Sequence, residues 1–359
     1  LEYGAGLVYS GVTIDRKLID SVRAENPAFG CVDFVSRREK RVIFSTCKEE
    51  RGRVIFQLGT ADASLATQAA LSVCRDVRGI DVNMGCTAHF STHGGMGSVL
   101  LEKPNTAADV LKALRRELPT ECGVSCKIRM LPTLAKTRDF MQLCERSGAC
   151  AIAVHMRTAN EEACRGQPAH WGDIAKLCSA VHIPVIANGD FLSRRDINDF
   201  WYQCHGAASP QMQESEGVNC GDCAVAASSS EGPAAVMIAR GALWNPAIFC
   251  KDAPPDSDDV VRNYVRTAMR TNTCFDNTKW VLKEMIHRSQ TGFRGLCGKE
   301  LRRFRQRLED ARGARDICEL FGEVYDSTAY PPGAHALDFG QRTLTQAGQL
   351  DDEAGLEAV

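Results

Sequence analysis

What this chain of 359 residues lacks narrows the field first. No apolar run approaches the roughly twenty residues needed to cross a bilayer, so a membrane-spanning helix is excluded as a reading of the sequence. Charge of one sign is also missing. The 43 lysines and arginines against 45 aspartates and glutamates leave a formal charge of −2. No global field draws the molecule to nucleic acid, and any basic partner surface must be local. The 17 cysteines are plentiful but fall in apolar segments, not in short regular frames. In a chain this long they read as reduced thiols, with a reducing, cytoplasmic location expected and not a secreted disulfide scaffold. The chain opens at Leu1, not at a methionine, so upstream sequence and any targeting signal on it are expected to be missing. The length allows a large domain plus a smaller one.

Short β-rich runs alternate with segments of helical spacing. Leu7-Val-Tyr9 is a weak strand, and Val54 to Leu58 is a strong one. Gly79 to Asn83, Val124 to Arg129, Ala151 to His155, Ile183 to Asn188 and Val236 to Arg240 follow. Between them, Thr106 to Leu118, Thr137 to Ser147 and Trp171 to Val181 carry the helical period. Near-continuous apolar strands that alternate with helices mean a parallel sheet covered on its faces. Seven strands, each ending in a polar residue, point to an α/β (β/α)8 TIM barrel whose first strand is absent from this chain, with a C-terminal helical domain. In such a barrel the chemistry gathers at the rim where the strands end.

The stretch Asp81-Val-Asn-Met-Gly-Cys86, followed by His93-Gly-Gly-Met-Gly97, is the most informative. A strand tip there carries an amide, a thiol and a glycine-rich loop. Alone, Cys86 reads equally well as a small buried apolar residue. Other strand ends repeat the pattern with Gln57, Asn83, Lys127, Arg129, His155, Arg157, Asn188, Gly189, Arg240 and Gly241. Each has a plain alternative as a turn cap, a solvated charge or a satisfied core histidine. Their joint placement at one rim favours a site. Asn188-Gly189-Asp190 and Arg240-Gly241-Ala242 fall where barrels hold phosphate, with glycine permitting close backbone approach and arginine a bidentate clamp. That favours a phosphorylated cofactor.

These segments resemble the tRNA-dihydrouridine synthase family, its eukaryotic type-2 branch that acts at uridine 20 in particular. The match runs through Phe56-Gln-Leu-Gly-Thr60, Asp81 to Cys86, Ser91 to Gly97, Cys126-Lys-Ile-Arg129, Ala151 to His155, Pro184 to Gly189, Ala239-Arg-Gly-Ala242 and Trp244 to Phe249. The resemblance implies that Gln57, Lys127, His155, Asn188, Gly189, Arg240 and Gly241 hold FMN, with NADPH as the electron source. It implies that Cys86 is the catalytic acid, giving a proton to C5 of a D-loop uracil reduced at C6. A thiol with the ordinary cysteine pKa of about 8.5 is mostly protonated at neutral pH and needs no special tuning for that task. Asn83 suits substrate contact because its amide both donates and accepts. Lys127 suits the flavin edge where negative charge gathers on reduction. Arg129 and Arg157 are further substrate candidates.

Departures from the family pattern accompany the match. Thr87 stands where a proline usually follows the cysteine, Ala88-His89 replaces a lysine, and Met156 replaces the glycine of a His-Gly-Arg run. With the first strand missing, FMN is expected to bind weakly unless upstream sequence is restored.

The catalytic domain is expected over residues 1–250. It contains an insertion at 203–233, rich in Ala, Ser, Gln, Glu and Gly, that reads as disordered. Cys220 and Cys223 within it are weak evidence for zinc, and no metal is assigned. Residues 255–325 read as a helical domain for tRNA, and 327–359 as a disordered tail. Arg302, Arg303, Arg305, Arg307, Arg312 and Arg315 make the most basic stretch. It is either a solvated face paired to Glu309 or Asp310, or a surface that tracks phosphates. A target uridine must leave its stack, which is easiest in a loop. The expected partner is tRNA, with no membrane and no stable protein partner. The rival readings are a small-molecule flavin oxidoreductase of the dihydroorotate dehydrogenase kind and a non-catalytic RNA-binding relative.

Overall fold

The structure, a computed structural model, describes residues 1–161, 166–205, 232–251, 254–288 and 293–325. Most of the expected insertion, its Cys220 and Cys223, and the tail from 327 lie outside the described residues. Among those described, no helix is long and apolar enough to cross a membrane.

Eleven strands occur among the described residues. In chain order they are β1 (Val8–Tyr9), β2 (Thr13–Ile14), β3 (Ser21–Asn26), β4 (Cys31–Ser36), β5 (Val42–Cys47), β6 (Val54–Gly59), β7 (Gly79–Met84), β8 (Gly123–Met130), β9 (Ala151–Thr158), β10 (Val185–Asn188) and β11 (Ala235–Met237). The chain forms two compact units.

The larger unit contains Gly6–Ser21 and Glu49–Ala239. Its sheet runs in the order β1-β6-β7-β8-β9-β10-β11, with β2 also paired to β6, and every ladder given for it is parallel. It curls as a half-barrel flanked by helices, as a TIM-barrel reading requires. No ladder among the described residues joins β1 to β11. One face of the strands is apolar without interruption. Phe56, Ile80, Val82, Met84, Val124, Cys126, Ile128, Ile152, Val154 and Val185 are all fully buried. Between the strands the chain turns into helices whose starts are fixed locally. Asp62 accepts from the Leu65 amide ahead of Ala63–Val73, and Thr133 accepts from Lys136 ahead of Leu134–Arg146. Pro104 opens Pro104–Glu117, which buries Ala107, Val110, Leu111 and Leu114.

The second unit contains Leu1–Ala5, Val22–Lys48 and the described residues from Arg240 to Tyr325. The antiparallel sheet β3-β4-β5 belongs here and was not anticipated from sequence. Each of its strands is only six residues long, β4 and β5 do not alternate apolar and polar residues, and the β4–β5 turn is made by Lys40 at φ +55° with its amide bonded to the Ser36 carbonyl. Helices Ser257–Arg270, Phe275–Arg288, Gly298–Asp310 and Ala314–Phe321 follow. Val260, Val265, Leu282, Met285, Phe293, Phe304, Leu308, Ile317 and Phe321 form their common core. The boundary between the units falls at Ala239/Arg240, ahead of the expected break near 250.

Two element ends differ from expectation. β11 stops at Met237, and Arg240 opens the short helix Arg240–Trp244 instead of closing a strand. Among the described residues β11 pairs with β10 alone, and the ladder ends where β10 does: Asn188, its last residue, is opposite Met237. The expected helix from Trp171 to Val181 is a 3-10 turn, Trp171–Asp173, followed by a single helical stretch, Ile174–Cys178.

Candidate active site

A strand's side chains alternate between faces, and the registers put the polar candidates of the larger unit on one face. Gln57 is opposite Asp81 and Asp81 opposite Ser125. One step further along the strands, Asn83 is opposite Lys127 and Lys127 opposite Ala153. At the ends, Arg129 is opposite His155 and His155 opposite Asn188. The opposite face is the apolar one already described. The structure therefore brings Gln57, Asn83, Lys127, Arg129, His155 and Asn188 to a common surface of the sheet.

Cys86 lies just beyond β7 and is only 5% exposed. Its position is set by backbone. The Asn83 side-chain oxygen accepts from the Cys86 amide at 2.9 Å and from the Gly85 amide at 3.2 Å. The Cys86 carbonyl accepts from the Ser98 amide at 2.9 Å, so the loop closes on itself. Gly97, at φ +61°, passes so close that a Cβ there would overlap the Cys86 carbonyl oxygen and the buried Ser91 hydroxyl. The glycine in His93-Gly-Gly-Met-Gly97 is thus demanded by the thiol's own backbone. Arg129, buried, donates Nε to the Gly85 carbonyl at 2.8 Å and Nη1 to the carbonyls of Thr158 and Glu161.

Beneath the thiol a polar network continues inward. Asn83 Nδ2 donates to Gln57 Oε1 at 2.8 Å, and Gln57 Nε2 donates to Asp81 Oδ2 at 2.9 Å. Ser125 Oγ donates to Asp81 Oδ1 at 2.7 Å. Burial pushes the Asp81 carboxyl up to about 6, opposed by its bonds from Ser125 and Gln57 and by the charge of Lys127. Burial raises the Tyr9 phenol as well, with the neighbouring Asp81 charge adding to the rise and a bond with Ser125 opposing it. Sequence reading passed over Asp81, Ser125 and Tyr9 as site residues. The signal was the period of two, since Asp81 stands two residues before Asn83 and Ser125 two before Lys127.

At the far side, Arg157 is 2% exposed and engaged on several edges. Nε donates to the Gln167 carbonyl at 2.8 Å, Nη2 reaches both Asp190 oxygens, and Nη1 lies 3.3 Å from His155 Nε2. The Asp190 carboxylate also accepts from the Ala169 amide, and Trp171 Nε1 donates to the Gly189 carbonyl. Gly189 adopts φ +124°, where an added Cβ would meet Ala169 at 3.0 Å and the His155 ring at 3.2 Å. Asn188 Nδ2 donates to the Met237 carbonyl at 3.0 Å, tying β10 to β11. Asn83, Arg129 and Arg157, the substrate candidates on this sheet, thus direct these groups to partners within the chain.

The remaining candidates belong to the second unit. Arg240 and Gly241 begin the helix Arg240–Trp244. On Gly298–Asp310, Arg302, Arg303 and Arg307 are exposed, and among the described residues none of them makes an ion pair. Glu309 instead pairs with Lys283 at 2.6 Å, and Gln306 reaches Asp310. Arg305 is half-buried and donates Nη2 to the Ile286 carbonyl.

Polar strand-end residues and a thiol held by its backbone thus lie together on a parallel α/β sheet of the barrel type. Comparison with known proteins is specific. The pattern of the dihydrouridine synthase (Dus) family matches residues 11–209. A Schizosaccharomyces pombe protein named tRNA-dihydrouridine(20) synthase (NAD(P)+) is 32% identical over 334 residues, which is 90% of this chain and 61% of that protein. Its Saccharomyces cerevisiae namesake is 34% identical over 301 residues, 80% of this chain and 72% of that protein. A human tRNA-dihydrouridine(20a/20b) synthase-like protein is 33% identical over 224 residues, 62% of this chain and 61% of that protein. This chain belongs to the dihydrouridine synthase family. It spans about two thirds of the length of the yeast relatives it matches.

Proposed function

We propose that the protein is an FMN-dependent tRNA-dihydrouridine synthase that reduces the C5=C6 bond of a D-loop uridine, position 20, with NADPH as the electron source. The names of the two yeast relatives support the reaction and the position. The observation that carries it is the placement of Cys86, its amide and carbonyl both bonded, just beyond β7 in a sheet whose polar face bears Lys127 on β8 and His155 on β9.

The residues present fit FMN. On the larger unit Gln57 and Asn188 supply amides, Lys127 a cation and His155 an imidazole, and Gly189 at φ +124° supplies a backbone turn without a side chain. The small side chains of Ala151 and Ala153 lie opposite Ser125 and Lys127 on the same face. When bound, FMN supplies the hydride that adds at C6 of the pyrimidine. The chain's own part is the proton. Cys86 Sγ gives it to C5, and the charge that develops on the pyrimidine is relieved as it does so. Asn83 and Ser98 hold the backbone from which the thiol is presented, so little reorganisation is left for the reacting state. Lys127 places a positive charge on the face where reduction builds negative charge.

The tRNA reading draws on Arg302 and Arg303, exposed cations without an acidic partner among the described residues, as a phosphate-tracking surface requires. Arg305 contributes less to such a surface, being tethered to Ile286.

The test is dihydrouridine mapping in tRNA from cells that carry the wild-type or the Cys86→Ala protein. Dihydrouridine at position 20 is expected with the first and absent with the second. Normal levels with Cys86→Ala would overturn the role of the thiol.

A further inference from the structure

We propose that Asp81 is a positioning residue for Cys86, setting the direction of a chain of hydrogen bonds that runs through the side chains of Gln57 and Asn83 to the thiol's own amide. The proposal rests on the functional reading of Cys86 above, but its logic is that of donors and acceptors. A carboxylate only accepts, so Gln57 must turn its NH2 to Asp81, as the 2.9 Å bond records. Its carbonyl oxygen is then left for Asn83, which answers with its own NH2 at 2.8 Å. That leaves the Asn83 oxygen for the amides of Gly85 and Cys86. Asp81 at one end accepts only and the two backbone amides at the other donate only, so a single orientation of both side-chain amides satisfies every group. Asp81, Gln57 and Asn83 are all buried, and water offers no substitute partner.

Without an acceptor at position 81, the Gln57 NH2 is stranded and the amide loses the partner that fixes it. Asn83 then holds its neighbour less firmly, and the turn from Asn83 to Cys86 is free to open. The Cys86 thiol is buried as the structure stands, so opening is read directly as increased reactivity.

The experiment is peptide-mapped alkylation of the folded protein by iodoacetamide at pH 7.5, which reports each cysteine separately. Asp81→Leu removes the acceptor at similar size, and Gln57→Leu removes the middle link. Both are expected to raise alkylation of Cys86 about tenfold, the worth of a hydrogen bond to a charged group. Cys126 and Cys144, buried in the same unit, should not change. Asp81→Asn should stay within about twofold of wild type, because its amide oxygen can face Gln57 while its NH2 is received by the Ser125 hydroxyl. A role in packing alone would not distinguish Asn from Leu in this way. Should Asp81→Leu unfold, exposing Cys126 and Cys144 too, Gln57→Leu carries the test. Protection of Cys86 in a folded Gln57→Leu protein, or equal exposure in Asp81→Asn and Asp81→Leu, would overturn the proposal. The alkylation pattern is read without substrate. If it holds while wild-type protein makes no dihydrouridine, the hydrogen-bond chain stands and the proposed activity falls.

Discussion

One guanidinium nitrogen of Arg157, Nη2, donates to both carboxylate oxygens of Asp190, at 2.7 and 2.5 Å. The bond joins the end of β9 to the turn after β10, where Asp190 sits in the left-handed region at φ +60°. The arginine is 2% exposed and the aspartate 25%. Removing one partner of such a pair leaves the other charge uncompensated. Arg157→Ala is expected to cost about 3 kcal/mol in denaturant unfolding, the low end for buried pairs because Asp190 keeps some solvent. Arg157→Lys is expected to recover little, since the same guanidinium also serves Gln167 and approaches His155.

Gly97→Ala should act on the thiol from the outside of its loop. A Cβ at φ +61° would overlap the Cys86 carbonyl oxygen and the Ser91 hydroxyl. We expect a loss of about 1–3 kcal/mol in stability from backbone strain. Dihydrouridine formation should fall more than the population of folded protein does, measured as turnover per folded molecule.

Asp81 carries a pH signature. Its folded-state pKa is raised from 3.8 to about 6 by burial. An acid raised in this way contributes stability that is fully present below pH 3.8 and is lost as pH climbs through 6. The charged and titratable groups that act on it are Lys127, Tyr9 and the thiol of Cys126. Asp81→Asn removes the titration. Between pH 3.5 and 7 wild type should therefore lose about 3 kcal/mol relative to that variant in urea unfolding at each pH. An unchanged difference across that window would refute the raised pKa.

The three candidate arginines of Gly298–Asp310 should separate by role. Arg302→Ala and Arg303→Ala are expected to weaken tRNA binding across sequences and to reduce its salt slope by roughly 0.7–0.9 for each phosphate left without its cation. Arg305→Ala should instead lower the melting temperature of the helical unit, because Arg305 is half-buried and bonded to the Ile286 carbonyl. Filter binding over a salt series and a thermal melt tell the two apart.

Much of the larger unit was legible in the residues. Five interior strands are apolar at every second position and long enough to stand out, so β6, β7, β8 and β10 fall within one or two residues of expectation, while β9 runs three residues past the expected His155, to Thr158. The motif that ends in Cys86 announced a strand tip, and the glycine at 97 proved to be required by the thiol's backbone. The antiparallel sheet β3-β4-β5 escaped because a search for alternating strands and helices has no place for three short strands in a row. Arg240 was placed at a strand end because Val236 to Ala239 is apolar, whereas β11 ends at Met237, where its neighbour β10 also ends.

By itself the sequence determined the parallel α/β architecture, the rim that bears the polar residues and the family to which they belong, since all three rest on short-range periodicity and short motifs. Which of those polar groups touch one another was decided by the register between strands distant in the chain. Gln57 meets Asp81 across 24 residues, and Arg157 meets Asp190 across 33. Hydrogen-bond partnership and its direction are properties of neighbours in space, so only the folded sheet could turn a list of strand-end residues into a lattice of fixed donors and acceptors around one thiol.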